Sequence, residues 1–334
     1  MSESSADPTV PAGTSSHRGA GWTRWLASPA ALVPLVFLTA VVAVLLYASH
    51  LQYFGLSFWG PNWNPNELNP SQASYGVLYF AAGTAITSAF AVFFAMLLSL
   101  GLAISLVFYL PGPVARVLTL FVDLLAGIPS VVYGIWGYVV LAPYFTRSVY
   151  PGMVQYLGWI PGFSANNAEI AGGTGILLAI IILTLMVVPL TTALVRDSLR
   201  SVPKDLEESG LALGGTRWEV VRRVYLPHAR RGIYSAVLLG LGRALGETVA
   251  VFMVIGNEVR LPPTIYSGAS TIATLLVGQF DASFAYPDLL HALIEIALVL
   301  FLITLAVNLI GRRAFAEGGI TGVTGAGTTS SEGS

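Results

Sequence analysis

The chain has 334 residues, of which 55% are hydrophobic and only 10% charged, with a formal net charge of −1. An average soluble domain carries about 25% charged residues, so this composition excludes an ordinary water-soluble globule and leaves no global basic field to attract nucleic acid. There is no cysteine, which removes disulfides and thiolate metal sites, and His17, His50, His228 and His291 lack metal-ligand spacing.

Residues 1–28 are polar and rich in Ser, Gly, Thr and Pro, and residues 314–334 end in a Gly/Ser/Thr-rich stretch. Neither segment carries enough apolar area to offset chain entropy, so both are predicted to be disordered tails. Between them lies a membrane domain, 29–313, with six apolar runs at 29–49, 83–110, 117–143, 173–195, 234–257 and 288–310. Crossing a bilayer core takes about 20 apolar residues per helix, and each run meets that. The expected fold class is an all-α membrane protein with six transmembrane helices. The first run has too long an apolar core, and no small-x-small site follows it, so it does not read as a signal peptide.

Basic residues orient the spans. With the N-terminus inside, the inner segments hold thirteen of the sixteen Lys and Arg residues, the outer segments only Arg147 and Arg260, and Arg243 lies within the fifth run. Both termini and the 196–231 loop are therefore expected on the cytoplasmic side. The outer segments 50–74, 144–172 and 258–287 are long and carry Trp59, Trp63, Tyr144, Tyr150, Tyr156, Trp159 and Tyr266. Such aromatics anchor at the headgroup level or contact an external protein.

In the third run, Asp123-Leu124-Leu125-Ala126-Gly127-Ile128-Pro129-Ser130 interrupts the apolar helix, and Pro129 is expected to kink or break it. A half-helix starting there would aim backbone N–H groups into the bundle. Pro189 is expected to bend the fourth span.

The loop 196–231 holds eight of the sixteen basic residues. Its local chemistry predicts two short helices. Pro203 suits a first turn, and Asp205, Glu207 and Glu208 place negative charge at the positive dipole end. Gly214 and Gly215 can take the left-handed conformation that stops a helix. Thr216-Arg217-Trp218-Glu219 forms a capping box, and the second helix is expected to end before Pro227.

In the fifth run, Gly240-x-Gly242-x3-Gly246 has neither the spacing nor the preceding strand of a dinucleotide site. Gly242 and Gly246 read instead as a small-residue face for close helix approach. Arg243 and Glu247 are four apart, on one helix face, and can pair. Two readings stand: an ion pair that fixes helix packing, or a path in which Arg243 offers forked donors to an oxyanion while Glu247 holds its orientation. In the sixth run Asp288, His291 and Glu295 share a face, and Glu295 lies at a depth comparable to Glu247. Asp123, Arg243, Glu247 and Glu295 are thus the candidate translocation-path residues.

The spacing Glu208-Ser209-Gly210-x3-Gly214-x9-Val224-x-Leu226-Pro227 resembles the E-A-A-x3-G-x9-I-x-L-P loop through which bacterial ABC-importer permeases grip their ATPase, with Ser209 and Gly210 where alanines are usual. Together with Asp123–Gly137 (DLLAGIPSVVYGIWG) and Gly240–Asn257 (GLGRALGETVAVFMVIGN), the chain is similar to the C-type permease subunits of bacterial high-affinity phosphate ABC importers over residues 29–313. The resemblance implies a type I importer fold in the bacterial plasma membrane and coupling through 203–227. It also implies pairing with a sister A-type permease, two copies of an ABC ATPase that use ATP and Mg, and an extracytoplasmic phosphate-binding protein. Glu208, Ser209, Gly210, Gly214, Val224, Leu226 and Pro227 would form the ATPase contact. The chain itself has no G-x4-G-K-[ST] loop, so it is expected to be a non-enzymatic subunit without a cofactor of its own. The alternatives are a permease for sulfate, molybdate or a phosphonate, and a proton-coupled secondary transporter using Glu247, Glu295 and His291.

Overall fold

A computed structural model describes residues 20–49, 53, 55, 57–65, 73–164, 170 and 172–316. Of the disordered tails predicted at 1–28 and 314–334, residues 1–19 and 317–334 lie outside the described residues, whereas 20–28 and 314–316 are helical, contrary to that expectation. The chain divides after Ala48 into two units. The first holds all but the last residue of helix α1, Ala20–Ser49, which starts nine residues before the apolar run. Residues 20–28 include Arg24, Leu26 and Ala27, good helix formers that an apolar window does not register as a span, so helix and apolar segment differ in extent.

Among its described residues the second unit is mostly helical, with a hairpin of two-residue strands, β1 (Trp63–Asn64) and β2 (Ser74–Tyr75), paired antiparallel, and an isolated parallel bridge between Gly256 and Ala269. Its helices are α2, Leu78–Tyr109, closing in a π turn over Ser105–Tyr109; α3, Gly112–Ala126; α4, Ser130–Leu157; and α5, Ile176–Arg200. They continue with α6, Lys204–Ala212; α7, Arg217–Val220; α8, Leu226–Gly246; α9, Val249–Val254; α10, Ile272–Ser283; and α11, Pro287–Ala316. Among the described residues four helices are long and apolar enough to cross a membrane: α1, α2, α5 and α11. A fifth span results if α3 and α4 count as one bent by 92°.

Two of the six expected runs are therefore not single straight helices. The run 117–143 breaks at Gly127–Pro129, as its proline requires. Beyond the break, α4 carries on to Leu157 through two π turns, so the first part of the expected outer segment 144–172 is helical. The run 234–257 breaks at Glu247–Thr248, where Glu247 is extended (φ −71°, ψ 128°). Pro189 lies inside α5, which runs through it unbroken.

The core is centred on α5. Leu178, Ile182, Leu183 and Val187 pack against Ala91, Val92 and Ala95 of α2 and Ala250, Val251 and Val254 of α9. Hydroxyls join the two long helices: Ser99 and Thr191 lie 2.6 Å apart, and Thr184 donates to the Ala91 carbonyl at 3.3 Å. Such bonds and small residues bring membrane helices together where no hydrophobic difference drives them. At the start of α2, Phe58, Tyr75, Phe80, Ile272, Leu289 and Ile296 form a second cluster. Within it Trp63 meets Tyr75 and Phe80 edge to face, so the hairpin aromatics are held by the protein, whereas Tyr156 and Trp159 stand exposed. At the far end of α2, Ala103 and Ile104 pack with Leu199, Val220, Val221 and Tyr225 in a third cluster.

Candidate functional site

The loop after α5 folds into the expected pair of helices. Pro203 is the N-cap of α6, and Asp205 and Glu207 lie in its first turn. Gly214 ends the segment at φ +82°, in the left-handed region that side chains resist; Gly215 keeps a negative φ. The capping box at α7 is complete: the Glu219 carboxylate accepts from the Thr216 N–H at 2.8 Å, and the Thr216 hydroxyl accepts from the Glu219 N–H at 3.3 Å. The Thr216 N–H, and then its hydroxyl, hold the Glu219 carboxyl below the ordinary carboxylate range.

Three contacts close the two helices into a knob. A Cβ at Gly210 would meet Val220 Cγ2 at 3.0 Å, so the glycine in place of the usual alanine sits where α6 crosses α7. The Tyr225 hydroxyl donates to Glu207 Oε2 at 2.7 Å, and its ring meets Phe108 of α2 at 4.5 Å. Burial, and next the bond to Glu207, push the Tyr225 hydroxyl up to about 12. Ser209 bonds back along its own helix, donating to the Asp205 carbonyl at 2.6 Å. Glu208, Leu206, Leu211, Leu213 and Trp218 face outward, with Leu213 90% exposed. Exposed apolar side chains on a capped, rigid element mark a contact surface.

The second helix does not stop before Pro227. A π turn over Val221–Tyr225, closed by the Leu226 N–H on the Val221 carbonyl, carries α7 into α8. Opening the ladder to i−5 spacing relieves the clash that a proline ring makes with the carbonyl four residues back. Val224, Leu226 and Pro227 thus lie in the helical join between the knob and the fifth apolar run. From Arg217 to Gly246 this rod is about 45 Å long at 1.5 Å per residue.

At the rod's other end the expected Arg243–Glu247 pair is absent. The helix ends at Gly246 and Glu247 turns away, its Oε1 accepting from the Ala250 N–H at 3.3 Å and so starting α9. The ion pairs among the described residues are Arg196–Asp123, Arg196–Asp197 and Arg260–Glu258, and Arg243 is exposed. The four-residue spacing predicted a pair only for an unbroken helix. The small-residue face also shifts. A Cβ at Gly240 would come within 2.9 Å of Thr191 Cγ2 of α5, whereas Gly246 faces open space and Gly242 touches only Asn308 at 3.9 Å. Close approach runs through Gly240 because that side of α8 lies on α5.

The other two path candidates stand apart from Arg243. Asp123 takes Arg196 Nη1 at 3.4 Å, joining α3 to the end of α5 beside the knob. Glu295 is fully buried and accepts from the Tyr53 N–H at 3.1 Å, fastening the segment before the hairpin to α11. Arg196, only 8% exposed, had no sequence signal beyond its place in the charged loop. The close approach of α4 to α9 was equally hidden: a Cβ at Gly134 would lie 2.8 Å from Ala250 Cα.

Residues 91–316 match the family model described as binding-protein-dependent transport system inner membrane component. The chain belongs to this family of membrane permeases. It is 40% identical over 287 residues to a phosphate transport system permease protein PstC of Mesorhizobium japonicum, covering 85% of this chain and 86% of that one. It is 37% identical over 285 residues to a PstC of Pasteurella multocida, covering 84% and 87%. In fold it is similar to a chain in the crystal structure of a bacterial ABC transporter that imports the acidic polysaccharide alginate, with a TM-score of 0.59 over 90% of this chain and 96% of that one, at 16% identity. The permease therefore has the helical architecture of an ABC-importer membrane subunit.

Proposed function

We propose that this permease is one membrane half of an ATP-driven inorganic phosphate importer in the bacterial plasma membrane, with both termini and the 196–231 loop in the cytoplasm. The observation that carries the reading is the 37–40% identity to PstC permeases along more than four fifths of the chain. The thirteen-to-two distribution of basic residues supports the orientation.

A sister A-type permease supplies the other half, two ABC ATPases bind ATP and Mg, and an extracytoplasmic binding protein delivers phosphate. The knob takes up ATPase motion through Glu208, Leu213 and neighbouring exposed side chains. The continuous rod α7–α8 carries that motion to the break at Gly246–Thr248. Arg243, exposed one turn before the break and bound to no carboxylate, offers phosphate its guanidinium fork. Glu247 sets the break by capping α9. Asp123, tied to Arg196, and Glu295, tied to the segment before the hairpin, are the carboxyl groups this reading sets beside the path.

The test is reconstitution of the four components in liposomes. ATP-dependent accumulation of labelled phosphate, uncompeted by sulfate, molybdate or a phosphonate, is expected. Competition by one of those anions at equal concentration would reassign the substrate.

A further inference from the structure

A cleft of about 300 Å³ opens where the knob meets the ends of α2 and α5. Its floor includes Val107, Phe108 and Leu199, which belong to the last turns of two membrane-spanning helices. The cleft therefore lies at the level where those spans leave the hydrocarbon. Its lining carries three cations, Arg200, Lys204 and Arg217, and one carboxylate, Glu207. That carboxylate is occupied by the Tyr225 hydroxyl, and none of the three cations is within ion-pair distance of a carboxylate among the described residues.

An apolar floor beneath a net positive rim, at headgroup depth, matches a phosphate group attached to an apolar body. Basic pockets between membrane helices hold anionic headgroups in this way, and the volume lies at the lower end of small-molecule sites. We propose that the cleft binds the phosphate-bearing headgroup of an anionic phospholipid and thereby fastens the knob to the membrane surface. The floor decides between lipid and free phosphate. Inorganic phosphate has no use for Val107 and Phe108, which are partly exposed, whereas a glycerol backbone and the first carbons of its chains cover them. Because α6 contributes Lys204 and α7 contributes Arg217, an occupied cleft braces both short helices against α2 and α5. The proposal needs only that α2 and α5 cross the membrane, so it stands or falls apart from the identity of the imported ion.

The test uses the assembled permease–ATPase complex, exchanged into mixed micelles of phosphatidylglycerol and phosphatidylcholine, with retained lipid counted by mass spectrometry. Wild type should retain phosphatidylglycerol preferentially. The variant R200Q/K204Q/R217Q, compared at equal amounts of assembled complex, should bind it about tenfold to a hundredfold more weakly. R222Q/R223Q/R231Q removes the same charge from outside the cleft and should retain wild-type binding. Equal loss in both triple variants would reduce the effect to general surface attraction and overturn the site. Displacement of the lipid by millimolar inorganic phosphate would assign the cleft to the free anion instead. Binding by the permease pair that vanishes when the ATPase is present would assign the cleft to the ATPase contact. If the triple variant fails to assemble, K204Q alone, at an exposed side chain, gives the same comparison.

Discussion

Two side chains decide most at the residue scale. Glu219 serves the capping box as a carboxylate, and its pKa is lowered by the Thr216 N–H. A carboxyl lowered in the folded state adds stability that is present above its ordinary range and lost as pH falls through the lowered value. Protection of the Glu219 and Val220 amides, taken relative to intrinsic exchange at each pH, should therefore fall on acidification in wild type. Thr216→Ala should remove about 1 kcal/mol of local stability, and Glu219→Gln, which removes the titrating carboxyl, should flatten that pH dependence; unchanged profiles would mean that the cap does not hold α7. In the proposed path Arg243 meets the transported anion. Arg243→Gln should abolish phosphate uptake with complex yield and melting temperature intact, because the side chain is exposed and makes no ion pair. Undiminished uptake would remove it from the path.

In the proposed importer the knob and its rod are the elements that convert motion. Leu213 is 90% exposed, so Leu213→Ser should leave thermal stability unchanged yet lower co-purification of the ATPase; a stability loss without loss of partner would reverse the assignment. Gly214→Ala meets no atom within 4 Å but must hold φ +82°, costing roughly 1–2 kcal/mol. It should loosen the knob, read as faster proteolysis between α6 and α7. The π turn before Pro227 has a mechanical consequence. Had the helix ended there, the knob would hang from a flexible joint. Because it continues, tilting the knob tilts the whole of α8.

For the molecule as a whole, the question is where force enters. Glu247 and Glu295, the carboxylates a proton-coupled carrier would use, hold the Ala250 and Tyr53 backbone amides instead. Uptake in cells should accordingly persist when an uncoupler is added while ATP stays high, and should stop when the partner ATPase is deleted. Uptake that collapses with the proton gradient at constant ATP would favour the secondary-transport alternative. Trp63 packs edge to face on Tyr75 and Phe80, whereas Trp59, Tyr144, Tyr156 and Trp159 are exposed.

Periodicity and local chemistry alone determined the membrane class, the helical cores of four spans, the capping box at Thr216 and the helix stop at Gly214, because each depends on residues within a few positions of one another. The family loop from Glu208 to Pro227 was legible for the same reason. Three features came only from the tertiary structure. The break at Glu247 separates two residues that an ideal helix would pair. The π turn lets the helix pass Pro227. The buried Arg196 joins Asp123, seventy-three positions away in the chain. Each depends on what packs beside it: the Glu247 break on α9 being seated against Gly134 of α4, the Val221–Tyr225 turn on Phe108 and Glu207, Arg196 on the end of α3. A membrane helix satisfies its own backbone within its own length, so its existence is written locally, but where it may break is settled by neighbours that can take up the freed groups.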